Sequence, residues 1–353
     1  SAASDVYKRQ VWRHRLGTDP ATDALVFQED DERFYVSVHR SRSRAFVIIA
    51  AGSATTSDAR VIPADDPLAE PRQILPRVPG VEYRLDHAGE DFWVVTNDDA
   101  LDGKLLRIPV AGGPPREVVP HRPGVKQSEP DCFADHVIVW GRKDGLSAAL
   151  AVPRDGGDPH YLEMDEAVYE ISPDMNLEFD TSRLRYRYQS PVTPPSVYDH
   201  DLESGERVLL KQTPVLGDFD PARYVAGREW ATAPDGARIP ITVVKAVDVL
   251  ADGTAPLLLY GYGAYEISMP ASFSIPRLSL LDRGVVFAIA HVRGGGEMGK
   301  RWYEEGKLAD KMNTFTDFAA CAEHLVAAGI ADPDRIAARG GSAGGLTVGA
   351  AIT

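Results

Sequence analysis

The residues best suited to chemistry lie near the end of the sequence, at positions 340–344 (GGSAG). A serine with glycine two residues before and two residues after it is the pattern of a nucleophile elbow, a tight turn between a strand and a helix. Glycine is needed beside such a turn because side chains there would collide, and the serine hydroxyl is left exposed. We therefore predict that Ser342 is the nucleophile of an acyl-transfer reaction.

The residues around this motif supply the elements that the turn requires. Upstream, one apolar helix face is formed by Phe318, Cys321, Ala322, Leu325 and Val326. Thr314 or Thr316 is expected to cap this helix, and Gly329 is expected to end it. Residues 335–339 (RIAAR) then predict a short strand, and a further helix can begin near Leu346. This order favours a nucleophile over the alternative, a chance glycine-rich turn.

Three earlier segments add strands to the same sheet. They are short apolar runs at 239–245, 257–260 and 285–292. Runs that are apolar throughout suit strands covered by helices on both faces. Residues 225–353 are therefore predicted to form the N-terminal portion of an α/β-hydrolase catalytic domain that ends just after the elbow.

The first two thirds of the chain follow a different pattern. Four strand-like runs (FVII, FWVV, VIVW and LRYRY) start 46, 45 and 47 residues apart, at Phe46, Phe92, Val137 and Leu184. A second series, with acidic or glycine-rich turns after it, starts at Arg60, Arg107, Ala151 and Val197. A period of about 40–50 residues with several short strands per unit is typical of β-propeller blades; the alternative is a long β-sandwich.

Residues 11–224 accommodate four to five blades of this length. Because a closed ring usually has more, the prediction is an incomplete β-propeller followed by the N-terminal part of an α/β-hydrolase domain. Residues 1–10 fit no blade, which raises the alternative that they are a non-native segment.

The composition agrees with a two-domain protein of 353 residues. Its net charge of −14 argues against nucleic acid as a partner, and no apolar run is long enough for a membrane helix. The two cysteines, Cys132 and Cys321, suit reduced thiols in the cytoplasm and lie in no metal-ligand spacing. No cofactor or metal is expected.

Five motifs in the last third together resemble the prolyl oligopeptidase family of serine peptidases. They lie at 260–263 (YGYG), 291–297 (HVRGGGE), 302–308 (WYEEGKL), 313–318 (NTFTDF) and 339–345 (RGGSAGG). Residues 277–284 (RLSLLDRG) and the NTFTDF motif are most similar to the oligopeptidase B branch. The resemblance implies a cytoplasmic peptidase that cleaves short peptides after Arg or Lys, with a propeller that admits only small substrates.

The resemblance also implies roles for individual residues. Ser342 forms the acyl-enzyme, and the phenol of Tyr262 is one of two oxyanion donors. The elbow itself places the backbone N–H of Ala343 as the other donor. Enzymes of this type carry their triad in the order Ser, Asp or Glu, His, but all nine histidines precede Ser342. The triad acid and histidine are therefore expected beyond Thr353, and the chain is expected to be truncated at both ends and inactive by itself.

Other candidates have simpler interpretations. Residues 294–296 are three glycines without the Lys-Ser/Thr of a phosphate-binding loop, so a flexible turn is expected there. His291 is interpreted as a structural histidine, and Glu297, Glu304 and Glu305 as solvated loop charges. Some oligopeptidase B sequences carry two acids where this chain has Pro270 and Ser272, which weakens the case for an extended basic subsite.

Three hypotheses follow from these observations. The first is an oligopeptidase B-like serine peptidase, and the second is a post-proline or acylaminoacyl peptidase of the same family. The third is a propeller binding protein with a vestigial hydrolase domain, which the glycine-flanked serine disfavours because an idle site has no need of a strained turn. The sequence carries no indication of the oligomeric state.

Overall fold

A computed structural model of the protein describes residues 9–353. Of the suggested non-native segment, residues 1–8 lie outside the described part, and Gln10 is the first residue of a strand. Strand β1 (Gln10–Arg13) pairs antiparallel with β2 (Ala24–Gln28) to form a two-stranded sheet. No helix within residues 9–353 is long and apolar enough to cross a membrane.

Four four-stranded antiparallel sheets follow, each joined in simple up-and-down order. The first comprises β3–β6: Tyr35–Arg40, Phe46–Gly52, Ser57–Pro63 and Arg72–Gln73. The second comprises β7–β10: Tyr83–Ala88, Asp91–Thr96, Lys104–Pro109 and Arg116–Val119. The third comprises β11–β14: Lys126–Cys132, His136–Lys143, Leu146–Pro153 and His160–Tyr161. The fourth comprises β15–β18: Glu170–Pro173, Arg183–Gln189, Ser196–Asp201 and Arg207–Gln212.

These sheets confirm the predicted propeller architecture. The first repeated series lies in the second strand of each sheet, and the second series starts within the third strand. Alternate side chains of the inner strands pack against different neighbours, as Phe92 contacts the core of the first sheet while Trp93 contacts that of the third. Both faces of Phe92–Val95 are therefore buried, which explains why this run is apolar throughout, whereas in the fourth sheet the run LRYRY alternates because Arg187 is exposed.

The remaining strands form one five-stranded sheet in the order β19-β20-β22-β21-β23. Their bounds are Tyr224–Thr232, Arg238–Ala246, Leu257–Gly261, Val286–Ala290 and Ile336–Arg339 for β19 to β23. Strand β21 pairs parallel with both β22 and β23, whereas β20 pairs antiparallel with β22 and with β19. The strand that precedes the elbow, β23, therefore lies directly beside β21.

Four α-helices accompany this sheet, with bounds Ile275–Leu281 (α1), Lys300–Glu304 (α2), Met312–Ala327 (α3) and Ala343–Ala351 (α4). Within the described residues, three short 3₁₀ turns lie at Pro20–Thr22, Pro221–Arg223 and Leu308–Asp310. Helix α1 packs on one face of the sheet against Phe287 and Ile289, and α3 packs on the other against Leu257 and Leu259. The prediction of helices on both faces is confirmed.

The start of α3 differs from the prediction. The helix begins at Met312, and the residue before it, Lys311, makes no side-chain capping bond. Thr314 lies inside the helix, where its hydroxyl donates to the carbonyl oxygens of Arg293 at 2.7 Å and Gly306 at 3.2 Å. The capping prediction is wrong because a tertiary contact, invisible in the local pattern, uses this hydroxyl. Gly329, with φ of 69°, follows the end of the helix as predicted.

Candidate active site

Ser342 occupies a sharp turn between β23 and α4. Its backbone has φ of 51° and ψ of −123°, an unfavourable conformation for a residue with a side chain, and the residue is exposed. A Cβ on Gly340 would overlap the carbonyl oxygen of Gly344, and one on Gly344 would lie 2.5 Å from the carbonyl oxygen of Gly261. The flanking glycines are therefore required by the close approach of two backbones.

Tyr262 follows the neighbouring strand at the same edge of the sheet. Strands β21 and β23 are parallel, with Tyr260 opposite Arg339, so the residues that follow both strands emerge side by side. The hydroxyl of Thr347, on α4, donates to the backbone carbonyl of Tyr262 at 2.8 Å. Thr347 is fully buried. Its bond therefore links the backbone at Tyr262 to the helix that begins beside Ser342.

Ala343 is the first residue of α4. The first N–H groups of a helix have no partner within it and carry the positive end of the helix dipole. The Ala343 N–H is therefore suited to receive negative charge that develops next to Ser342. The structure thus brings the three predicted site residues, Ser342, Tyr262 and Ala343, to one edge of the sheet.

The glycine run at 294–296 packs against the segment that follows Tyr262. A Cβ on Gly294 would overlap the carbonyl oxygen of Gly263, and one on Gly296 would lie 2.5 Å from that of Glu266. The N–H of Glu266 also donates to the Gly294 carbonyl at 3.1 Å. These glycines serve close packing between two loops.

A buried ion pair anchors the loop that follows β22 to α3. The sequence analysis did not predict this pair. Arg293 donates to Asp317 through its Nε at 2.9 Å, its second guanidinium nitrogen at 2.6 Å and its backbone N–H at 3.0 Å. Asp235 accepts a further bond at 2.5 Å. Burial opposes the charge of Arg293, but the bonds to Asp317 and Asp235 raise the pKa of its guanidinium. Arg293 lies in the HVRGGGE motif and Asp317 in the NTFTDF motif. Membership of these motifs was the indication of the pair that the sequence offered.

His291 and Glu297 are both buried in this region. The His291 Nε2 lies 2.8 Å from the Thr242 hydroxyl, and its Nδ1 lies 3.5 Å from a Glu297 oxygen. Burial lowers the pKa of the His291 imidazole. Glu297 also accepts the N–H of Met269 at 2.8 Å, so its interpretation as a solvated loop charge is wrong: a backbone partner holds it in the interior.

Glu304 and Glu305 are partly exposed, and each pairs with a surface cation, Lys307 and Arg301 respectively. The other histidine of residues 225–353, His324, lies 3.2 Å from Glu229. The side chains of both histidines in this region are therefore engaged by groups other than Ser342.

A propeller followed by an α/β sheet, with a glycine-flanked serine on a strained strand-to-helix turn, defines a propeller-bearing member of the α/β-hydrolase class. Comparison with known proteins agrees with this class. Residues 1–213 match the model of the prolyl oligopeptidase N-terminal β-propeller domain, and residues 271–353 match that of the prolyl oligopeptidase family. The chain belongs to the prolyl oligopeptidase family.

Two curated relatives are similar over nearly the whole chain. Dipeptidyl aminopeptidase BI of Pseudoxanthomonas mexicana is 42% identical over 97% of this chain and 48% of its own length. Protease 2 of Moraxella lacunata is 38% identical over 97% of this chain and 49% of its own length. The chain spans about half the length of the curated relatives it matches.

Among solved structures, oligopeptidase B from Trypanosoma brucei with covalently bound antipain, in its closed form, has a TM-score of 0.88 and 37% identity. The match covers 98% of this chain and 51% of that one. Oligopeptidase B from Leishmania major has a TM-score of 0.87 and 32% identity, over 97% of this chain and 50% of that one. These likenesses confirm the resemblance to the oligopeptidase B branch.

Proposed function

We propose that this protein, at the full length of its relatives, is a serine oligopeptidase that acts through an acyl-enzyme on Ser342. The single observation that carries the proposal is the strained elbow, where Ser342 has φ of 51° and is exposed beside Tyr262 and Ala343. Such strain persists only where the surrounding structure enforces it, and it is typical of catalytic positions. The family membership and the covalent antipain of the Trypanosoma brucei relative support the same chemistry.

In the proposed reaction the Ser342 oxygen attacks the scissile carbonyl carbon, and the carbonyl electrons move onto oxygen. The Ala343 N–H and the Tyr262 phenol donate hydrogen bonds to this oxyanion. A histidine base accepts the serine proton and returns it to the leaving amine, after which water releases the acyl group. Because His291 and His324 are engaged elsewhere, the proposal assigns the base and its orienting acid to no residue of this chain.

For the substrate we propose short peptides with Arg or Lys before the scissile bond, because the oligopeptidase B structures are close relatives. An extended basic subsite is not part of the proposal. Where some oligopeptidase B sequences carry acids, Pro270 is exposed and the Ser272 carbonyl accepts a bond from Arg277 at 2.8 Å. A cavity of about 1120 Å³ in the propeller region reaches Glu266 and Lys300, and it is large enough to hold a short peptide.

A second candidate within the family is removal of dipeptides, favoured by the 42% identity to dipeptidyl aminopeptidase BI. The two candidates differ in whether the substrate needs a free amino terminus. Matched fluorogenic peptides that end in Arg, with the amino terminus free or acetylated, distinguish them: an oligopeptidase cleaves both at similar rates, whereas a dipeptidyl aminopeptidase cleaves only the free form.

We expect cleavage after Arg to exceed cleavage after Pro in peptides of otherwise identical sequence. The measurement is kcat/KM for acetylated fluorogenic pairs that differ only at that residue. A ratio that favours Pro would move the assignment to a post-proline peptidase while leaving the role of Ser342 intact.

Replacement of Tyr262 by Phe is expected to lower kcat by about 10²–10³, the usual effect of removing one oxyanion donor. Steady-state kinetics with an Arg peptide measure this effect. Tyr265→Phe, which removes the hydroxyl of an exposed tyrosine on the same loop, is the matched control and should leave kcat unchanged. If Tyr262→Phe keeps kcat within twofold, Tyr262 is not an oxyanion donor.

A further inference from the structure

The loop that follows Tyr262 is itself strained. Tyr265 and Glu266 are consecutive, and both have φ of 59°, in the left-handed region that disfavours residues with a side chain. Neither residue is glycine or asparagine, the types that usually adopt this conformation. Contacts outside the loop must therefore hold it in place.

The contacts that hold Glu266 reach across to the propeller. One carboxylate oxygen accepts a bond from Lys126 of β11, and the other accepts one from Lys300 of α2 at 2.6 Å. Burial raises the pKa of the Glu266 carboxyl, but the two lysines lower it below its ordinary value, so the group is charged near neutral pH. Lys126 and Glu266 are 140 residues apart in the sequence.

A second carboxylate also links α2 to the propeller. Asp102, which is buried, accepts the N–H of Lys300 at 2.6 Å and the N–H of Gly124 at 2.7 Å. The start of α2 is thereby fixed to the propeller close to Lys126. Lys126, Glu266 and Lys300 form what we call the Glu266 clamp.

We propose that Lys126 and Glu266 are positioning residues that hold the Tyr262 phenol in place for catalysis. The inference rests on the proposed oxyanion role of Tyr262. The backbone carbonyl of Tyr262 is bonded to Thr347 of α4, and only three residues separate Tyr262 from Glu266. Without the clamp the left-handed residues relax, and the phenol moves relative to Ser342. A shift of about 1 Å at a reacting group is enough to lower turnover strongly.

The test uses Lys126→Met in the full-length enzyme, because this residue lies in the propeller and is far in sequence from the elbow. We expect kcat for an Arg peptide to fall about tenfold with KM changed less than about twofold. In the Tyr262→Phe background the same substitution should lower kcat less than about twofold, since the donor it positions is already absent. Lys126→Arg, which keeps the charge, should retain kcat within about threefold.

Lys211→Met is the matched control, because Lys211 is an exposed propeller lysine on β18, and its kcat should equal that of the unmodified enzyme. Equal losses from Lys126→Met in both backgrounds, or no loss in either, would overturn the positioning role. Should Lys126→Met fail to fold, as judged by thermal melting, Glu266→Gln takes its place under the same criteria. Two other failures are distinct from this one: if Tyr262 is not an oxyanion donor, Tyr262→Phe alone leaves kcat unchanged, and if the proposed function is wrong, Ser342→Ala retains activity.

Discussion

Replacement of Ser342 by Ala in the full-length enzyme is expected to abolish peptide hydrolysis, lowering kcat by about 10⁶, while peptide binding survives. The substitution removes the attacking oxygen, and in enzymes of this mechanism the loss of the nucleophile costs about as much as the loss of the whole triad. The exposed hydroxyl leaves little cavity behind, so stability should change little. The measurements are kcat with an Arg peptide and affinity for the same peptide by calorimetry.

Ser279→Ala provides the control for this experiment, because Ser279 is an exposed serine on α1 of the same domain. Its kcat should match that of the unmodified enzyme. Residual activity above about one per cent in Ser342→Ala would mean that another group attacks the substrate, and the proposed function would have to be abandoned.

Replacement of Asp317 by Asn is expected to lower the free energy of unfolding by about 3–5 kcal/mol. The variant keeps the shape of the side chain but leaves the guanidinium of Arg293, whose side chain is 3% exposed, without its buried counter-charge. Urea unfolding at neutral pH, followed by far-ultraviolet circular dichroism, measures the change.

The matched control for that substitution is Asp235→Asn, on the other partner of Arg293. The Asp235 side chain is 47% exposed, so solvent screens the pair and the expected loss is only about 1 kcal/mol or less. Equal losses for Asp317→Asn and Asp235→Asn would show that burial does not set the energetics of this network.

The features that were predictable from the sequence are those with a local physical origin. The repeat of about 46 residues appears in the sequence because each sheet places the same buried inner strand at the same point, so runs at Phe46, Phe92, Val137 and Leu184 recur. The elbow was predictable because one backbone conformation at Ser342 demands glycine at fixed distances along the chain. Short apolar runs likewise marked β20 to β22, since their residues pack on both faces of one sheet.

Polar residues inside the hydrolase region were predicted less well. Thr314 is a residue type that often caps helices, but its hydroxyl instead donates to two carbonyl groups of neighbouring loops. Glu297 is a residue type that usually lies at the surface, but in the interior it accepts a hydrogen bond from a backbone N–H. A polar side chain carries no local indication of its partner, because the same atoms can bond to solvent, to their own helix or to a distant loop.

The sequence alone therefore determined the class of fold, the elbow and the identity of Ser342 as the candidate nucleophile, since these depend on spacing and on steric limits within a few residues. Only the tertiary structure decided which charges meet. Arg293 and Asp317, which join a loop to a helix, are 24 residues apart in the sequence. Lys126 and Glu266, which join the propeller to the loop after Tyr262, are 140 residues apart. Such pairs depend on how whole sheets and loops approach one another, and a Coulombic contact between two flexible side chains imposes no periodicity on the chain.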